Sequence, residues 1–137
     1  MSIELVTLIV HDYDAAIAFF VDALGFELIE DSPAVTNDGR QKRWVVVRPA
    51  GAATGLLLAR ADGDEQRAAV GRQAAGRVGF FWRVDDFDAA YQRLLTNGVV
   101  IVGEPRDEPY GRVCVFADVG GNRWDLLGPR PLRCTSP

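Results

Sequence analysis

Val10-His11-Asp12-Tyr13-Asp14-Ala15-Ala16 recurs 74 positions later as Val84-Asp85-Asp86-Phe87-Asp88-Ala89-Ala90. Five of the seven positions are identical, and the Tyr/Phe pair is a near match. Each copy ends a run rich in β-branched and aromatic residues, Glu4 to Val10 and Val78 to Val84, that reads as a strand. Each copy also opens a stretch of helical character, Asp12 to Leu24 and Asp86 to Thr96. In the first, Ala16, Phe19, Phe20 and Ala23 recur at helical spacing. Asp12 and Asp86 carry short acceptor side chains where the first backbone N–H groups need partners, so both are expected to be N-caps. Gly25 and Asn97-Gly98 close the two helices. A match at the same strand-to-helix junction of two similar series of elements indicates an internal duplication.

The remaining elements follow in the same order in both halves. In the first, Phe26 to Ile29 reads as a short strand, Glu30 to Gly39 as a polar loop, Lys42 to Arg48 as a strand, and Thr54 to Ala59 as a strand after the Pro49/Gly51 turn. In the second, Val99 to Val102 reads as a short strand, Glu104 to Gly111 as a proline-containing loop and Arg112 to Ala117 as a strand. Gly120-Gly121-Asn122 is a turn and Arg123 to Leu127 the last strand. The chain is therefore expected to be α+β, with two tandem βαβββ units in a single domain, residues 1–128: unit one 3–60, unit two 77–128. The linker, 61–76, has room for one or two helical turns at Asp64 to Val70. Residues 129–137 form a C-terminal tail with three prolines.

Composition narrows the function classes. The chain has 137 residues, 48% hydrophobic and 25% charged, with net charge −4; these values suit one compact soluble domain. No Lys/Arg stripe is present, so nucleic acid is not an expected partner. No apolar run is long enough to span a membrane, and Met1-Ser2-Ile3-Glu4 has no signal-like character, so a cytoplasmic protein is expected. Cys114, in an alternating apolar segment, reads as a core residue, and Cys134 as an exposed thiol in the tail; the pair is neither a disulfide framework nor a zinc pattern. His11, the sole histidine, reads as a partly exposed residue at a helix start. There is no Gly-rich phosphate loop and no Gly-x-Ser-x-Gly elbow.

Three segments carry a family likeness: VHDYDAAIAFFVDALGFEL (Val10 to Leu28), EPYGRVCVFAD (Glu108 to Asp118) and DVGGNRWDLLGP (Asp118 to Pro129). With the duplication, they resemble the vicinal-oxygen-chelate superfamily of glyoxalase I, bleomycin-resistance proteins and extradiol dioxygenases, over about residues 3 to 128. The resemblance implies two sheets forming a β cup around a small-molecule cavity, with helices over the convex face. It also implies a homodimer, since in many members a unit of one chain completes the cup with a unit of the other; whether the units here pair within or between chains is left open. In metal-dependent members four His or Glu ligands face the cup. The resemblance puts those positions at Leu5, at Gly79, within Leu56-Leu57-Leu58 and at Asp125. Three of the four carry no ligand atom, whereas a catalytic metal site generally needs about three protein ligands. No cofactor is therefore expected, with a divalent metal left open.

If those positions face the cup, strand alternation places Leu5, Thr7 and Ile9, then Gly79, Phe81 and Arg83, then Arg123, Asp125 and Leu127 on the concave side. Val6, Leu8, Val10, Phe80, Trp82, Val84, Trp124 and Leu126 should pack under the helices. The candidate ligand-binding set is Leu5, Thr7, Trp44, Leu57, Gly79, Phe81, Arg83, Tyr110, Arg123 and Asp125. Gly79 either widens the cup floor or marks a bulge. Trp44 and Tyr110 either stack on a flat ligand or pack in a core or interface. Asp125, the candidate catalytic residue, either pairs with a neighbouring arginine or, lacking such a partner, has its pKa raised by the apolar cup. The expected function is metal-free binding of a small, partly apolar molecule, as bleomycin-resistance proteins hold antibiotics. The alternatives are a divergent lyase, isomerase or dioxygenase using Asp125, and a purely structural module.

Overall fold

The computed structural model describes residues 1–130. Strands β1 (Leu5–Val10), β2 (Glu27–Val35), β3 (Gln41–Arg48) and β4 (Gly55–Arg60) form one sheet in the order β1-β4-β3-β2. Strands β5 (Val78–Arg83), β6 (Ile101–Glu108), β7 (Gly111–Ala117) and β8 (Arg123–Gly128) form a second in the order β5-β8-β7-β6. Helix α1 (Tyr13–Ala18) follows β1, α3 (Phe87–Thr96) follows β5, and a short α2 (Asp64–Ala69) lies in the linker. This is the α+β architecture of two βαβββ units. Asp12 caps α1 by accepting from Ala15 N at 2.7 Å, and Asp86 caps α3 by accepting from Ala89 N at 3.0 Å. The repeated heptad thus performs the same task in both halves.

Two expectations need correction. The loops assigned to Glu30 to Gly39 and Glu104 to Gly111 are largely strand, because β2 runs on to Val35 and β6 to Glu108. Polarity suggested a loop in the first segment and proline in the second, but Pro33 and Pro105 both lie in strands that occupy the outer edge of each sheet. There a missing N–H breaks no ladder. The first helix is also shorter than expected: beyond Ala18 it widens into a π-helical turn, Phe19–Ala23, in which Leu24 N donates to Phe19 O at 3.4 Å.

The two units share one core. Phe20 and Phe26, from the first unit, meet Trp124 at 5.6 and 6.2 Å between ring centroids, and Phe26 meets Trp82 edge-on at 5.5 Å. Phe80 stacks on Trp124 at 4.5 Å. Cys114 is fully buried in this core, as expected, and burial pushes its thiol up to about 11; Cys134 lies outside the described residues. Arg93 of α3 donates to Asp22 O at 2.8 Å and Val21 O at 3.2 Å, so it satisfies carbonyls at the end of the first helix from the other unit.

The DVGGNRW segment owes its pattern to one carboxylate. Asp118, 7% exposed, accepts from the backbone N–H groups of Gly120, Gly121 and Asn122, each at 3.0 Å. It also accepts from Asn122 Nδ2 at 3.2 Å and from Trp124 Nε1 at 2.9 Å. Glycine at 120 lets the linker approach: a Cβ there would lie 2.9 Å from Val70 Cγ1. The linker also finishes the first sheet. Gln73 Oε1 accepts from Ile9 N at 2.5 Å while its Nε2 donates to Thr7 O at 3.1 Å. One side-chain amide thus stands in for a neighbouring strand along the β1 edge that β4 does not cover.

Candidate functional site

Register fixes which residues share the concave faces. Thr7 lies beside Leu57 and Leu5 beside Gly55, while Val46 pairs with Leu57. The first unit's face is therefore Leu5, Thr7 and Leu57 with Trp44, Val46 and Arg48 of β3. In the second unit Phe81 lies beside Asp125 and Arg83 beside Leu127, with Val113 and Val115 on β7. The pairing Thr7–Leu57 corresponds to Phe81–Asp125, so Leu57 is the repeat counterpart of Asp125 and the member of the Leu56–Leu58 run that faces the cup.

Most candidates from the sequence fall into these two groups. Leu5, Thr7, Trp44 and Leu57 share the first face, and Phe81, Arg83 and Asp125 the second. Trp44 is 38% exposed and Phe81 66% exposed, unusual for large apolar groups facing inward on a sheet. Gly79 sits in a bulge between Val78 and Phe80, and a Cβ there would lie 3.2 Å from the methyl of Ala74. Its spare volume is thus met partly by the linker. Tyr110 is exposed in the β6–β7 turn. Arg123, at the mouth of β8, lines a cleft of about 200 Å³ with Arg72 of the linker and with Arg77, which follows it. Val6, expected under the helices, is 43% exposed and opens with Gly79, Phe81 and Trp124 onto an apolar groove of about 310 Å³ along the seam of the two sheets.

Asp125 is the buried carboxylate of the second face. It is 9% exposed, and its Oδ1 is buried with no hydrogen-bond partner. The expected arginine partner is not found: among the described residues neither Arg83 nor Arg123 pairs with it. Burial holds its carboxyl above the usual carboxylate range, and the guanidinium of Arg106 on β6 partly offsets this. Arg106 is itself tied to Glu108 at 2.8 Å. The sequence reading missed Arg106 because its segment looked like a loop, and a loop gives no face assignment. It missed Arg48 as well. Arg48 ends β3 on the first concave face, and its Nε is buried without a partner.

The residues present do not fit the family's metal. Of Leu5, Leu57, Gly79 and Asp125, only the last has a donor atom, and one carboxylate does not fix a transition metal. Among the described residues of this chain, no three His, Cys, Asp or Glu side chains gather as a metal-holding group.

Two larger clefts lie near the β2–β3 hairpin. One, of about 390 Å³, includes Trp44 and Leu57. The other, of about 720 Å³, lies beside Tyr13, whose ring carries the Arg43 and Arg60 guanidinium groups at 5.1 and 5.2 Å. Arg43 and Arg40 there are already paired with Asp14, Asp31, Asp38 and Asp62. The polar wall is thus largely neutralised from within.

The geometry agrees with comparisons to known proteins. An uncharacterized protein of Shewanella frigidimarina is 48% identical over 127 residues, 92% of each chain. Among solved structures, TnmS3, described as an antibiotic binding protein from Streptomyces sp. CB03234, superposes with TM-score 0.73 at 32% identity, covering 94% of this chain and 96% of that one. A superfamily member from Sphaerobacter thermophilus gives TM-score 0.72 at 30% identity, covering 93% and 97%. The family model for the glyoxalase/bleomycin resistance protein/dioxygenase superfamily matches residues 2–126, and the chain belongs to that superfamily.

Proposed function

We propose that this protein binds a small, partly apolar organic molecule in a cup completed between two copies of the chain, without the family metal. The observation that carries the reading is the pair of concave faces. They are mostly apolar, they leave Trp44 and Phe81 exposed, and they hold one buried, unpaired carboxylate where metal-binding relatives need several donors. A mostly apolar concavity with a few convergent polar groups is the usual form of a small-molecule site. Large aromatics left open on both faces are what a second copy would cover. The description of TnmS3 as an antibiotic binding protein supports the same reading.

A second reading is favoured by one feature. The raised pKa of Asp125 suits a general base, as in a divergent lyase, isomerase or dioxygenase. Calorimetric titration of dialysed protein with Ni²⁺, Zn²⁺ and Mn²⁺ separates the two. No stoichiometric binding is expected. One metal per cup, lost in Asp125→Ala, would overturn the metal-free reading and favour the enzyme. Sedimentation equilibrium at micromolar concentration is expected to give twice the chain mass; a strict monomer would remove the shared cup.

A further inference from the structure

Trp44, Val46 and Arg48 occupy successive inward positions of β3, with Arg48 about 13 Å along the strand from Trp44. Arg48 is partly buried, and its Nε is sealed from solvent with no hydrogen-bond partner. It lines a concave cleft of about 200 Å³ with Leu5, Ile29, Trp44, Val46 and Gly55, flanked by Glu4 and Glu30. Gly55 belongs to the construction. A Cβ there would lie 3.3 Å from Leu5 Cδ2 and from Val46 Cγ1, so its absence lets those side chains close over the strand beside the guanidinium. Glu27, the cross-strand neighbour of Arg48, does not pair with it. Nor does any other carboxylate among the described residues. Arg60, Arg72, Arg77, Arg83 and Arg123 also lack an ion pair, but a buried Nε without a partner is found at Arg48 and Arg112 alone among the described arginines, and Arg112 is held by Asp88 at 2.9 Å. The Nη groups of Arg48, outside that seal, also make no hydrogen bond or ion pair with the described residues, and they are the donors a molecule in the cleft can reach. A partly buried cation is costly unless an acceptor meets it.

We propose that the ligand of the cup carries an acidic group, a carboxylate or an ionised phenol, received by Arg48, with its ring system laid against Trp44. This rests on the small-molecule reading above and gives that ligand a chemical class and an orientation. The planar guanidinium offers several fixed donors suited to a carboxylate. Trp44 presents an exposed aromatic face on the same side of the strand. The carboxyl of Asp125 offers an acidic group no fork of donors, whereas the Arg48 guanidinium does, so the acid is placed at the Arg48 end.

The test uses 2-naphthoic acid and its neutral isostere 2-naphthamide, titrated calorimetrically into the full-length protein. The acid is expected to bind at least about tenfold more tightly, the scale of a charge-assisted hydrogen bond. Arg48→Gln should abolish that preference while leaving the amide within about threefold, and Arg48→Lys should restore part of it. Trp44→Leu should weaken both probes alike. Circular dichroism of each variant separates lost binding from lost fold. If both probes bind equally to the wild type, or if Arg48→Gln keeps the preference, the Arg48 assignment is refuted while the cup reading stands. If neither probe binds, the cup reading itself fails and takes this inference with it.

Discussion

Replacing Asp118 by alanine should cost the fold about 3–5 kcal/mol. The carboxylate accepts five hydrogen bonds at 2.9 to 3.2 Å. The amides of Gly120 and Gly121 lie near the surface, where water can replace the lost acceptor, so each contributes about 0.5–1 kcal/mol. Asn122 and Trp124 are 5% and 3% exposed, and their stranded donors together cost about 2–3 kcal/mol. For a chain of this length the sum corresponds to a fall in Tm of about 10–15 °C. Asp118→Asn is the sharper probe. It keeps Oδ1 for the three backbone amides but turns an NH₂ group toward Trp124 Nε1 and Asn122 Nδ2, donor against donor. It should lose about 2 kcal/mol, so near-isosteric shape does not rescue it. Urea unfolding followed by far-UV circular dichroism, compared at constant m-value, reads both losses. An alanine variant within about 1 kcal/mol of wild type, or an asparagine variant equal to wild type, would refute the assignment of Asp118 as the organising acceptor.

Two further outcomes follow from the hydrogen-bond and charge map. Asp125→Leu, which installs the residue found at the repeat counterpart, should raise stability at neutral pH. Because the folded carboxyl titrates above its unfolded value, the native state holds more protons in that window, and wild-type stability is lost as pH rises through it. The Tm advantage of the variant should therefore shrink as pH falls to about 4, and an advantage independent of pH would refute the electrostatic cause. Gln73→Ala should cost about 1 kcal/mol and speed amide exchange at Ile9, whose N–H it uncovers; unchanged protection at Ile9 would show that the linker does not close that edge.

The fold was legible because the duplicated heptad marks both strand-to-helix junctions, and Asp12 and Asp86 cap as their chemistry requires. Alternation then placed Leu8, Val10, Trp124 and Leu126 in the core and Leu5, Thr7, Phe81 and Asp125 on the cup. It failed where local chemistry misled. The polar run from Glu30 and the proline-containing run from Glu104 suggest loops until the sheet order shows that they are edge strands, and losing β6 to a loop hid Arg106. It failed again at Val6, whose apolar character gives no sign that the seam leaves it open. Arg48 escaped notice for another reason. A terminal arginine on a strand looks solvent-facing in sequence, and only packing reveals that its Nε is sealed in.

Asp118 and Asp125 make the functional argument by contrast. Both are buried carboxylates of the second unit, one at the turn before β8 and one on that strand. The first is surrounded by donors, and its removal leaves them stranded, so the fold itself accounts for it. Asp125 leaves its buried Oδ1 unpaired, stands beside an exposed Phe81, and has leucine as its counterpart in the first unit, where the same backbone pairing is made without any charge. The sheet evidently does not require an acid there. A group whose burial opposes ionisation and whose oxygen lacks a donor is a cost to stability that the architecture alone does not explain. The ligand proposed above would explain it. Under the proposed function, Asp125 and the unpaired Arg48 on the other face belong to the chemistry of a bound molecule rather than to the framework that holds it.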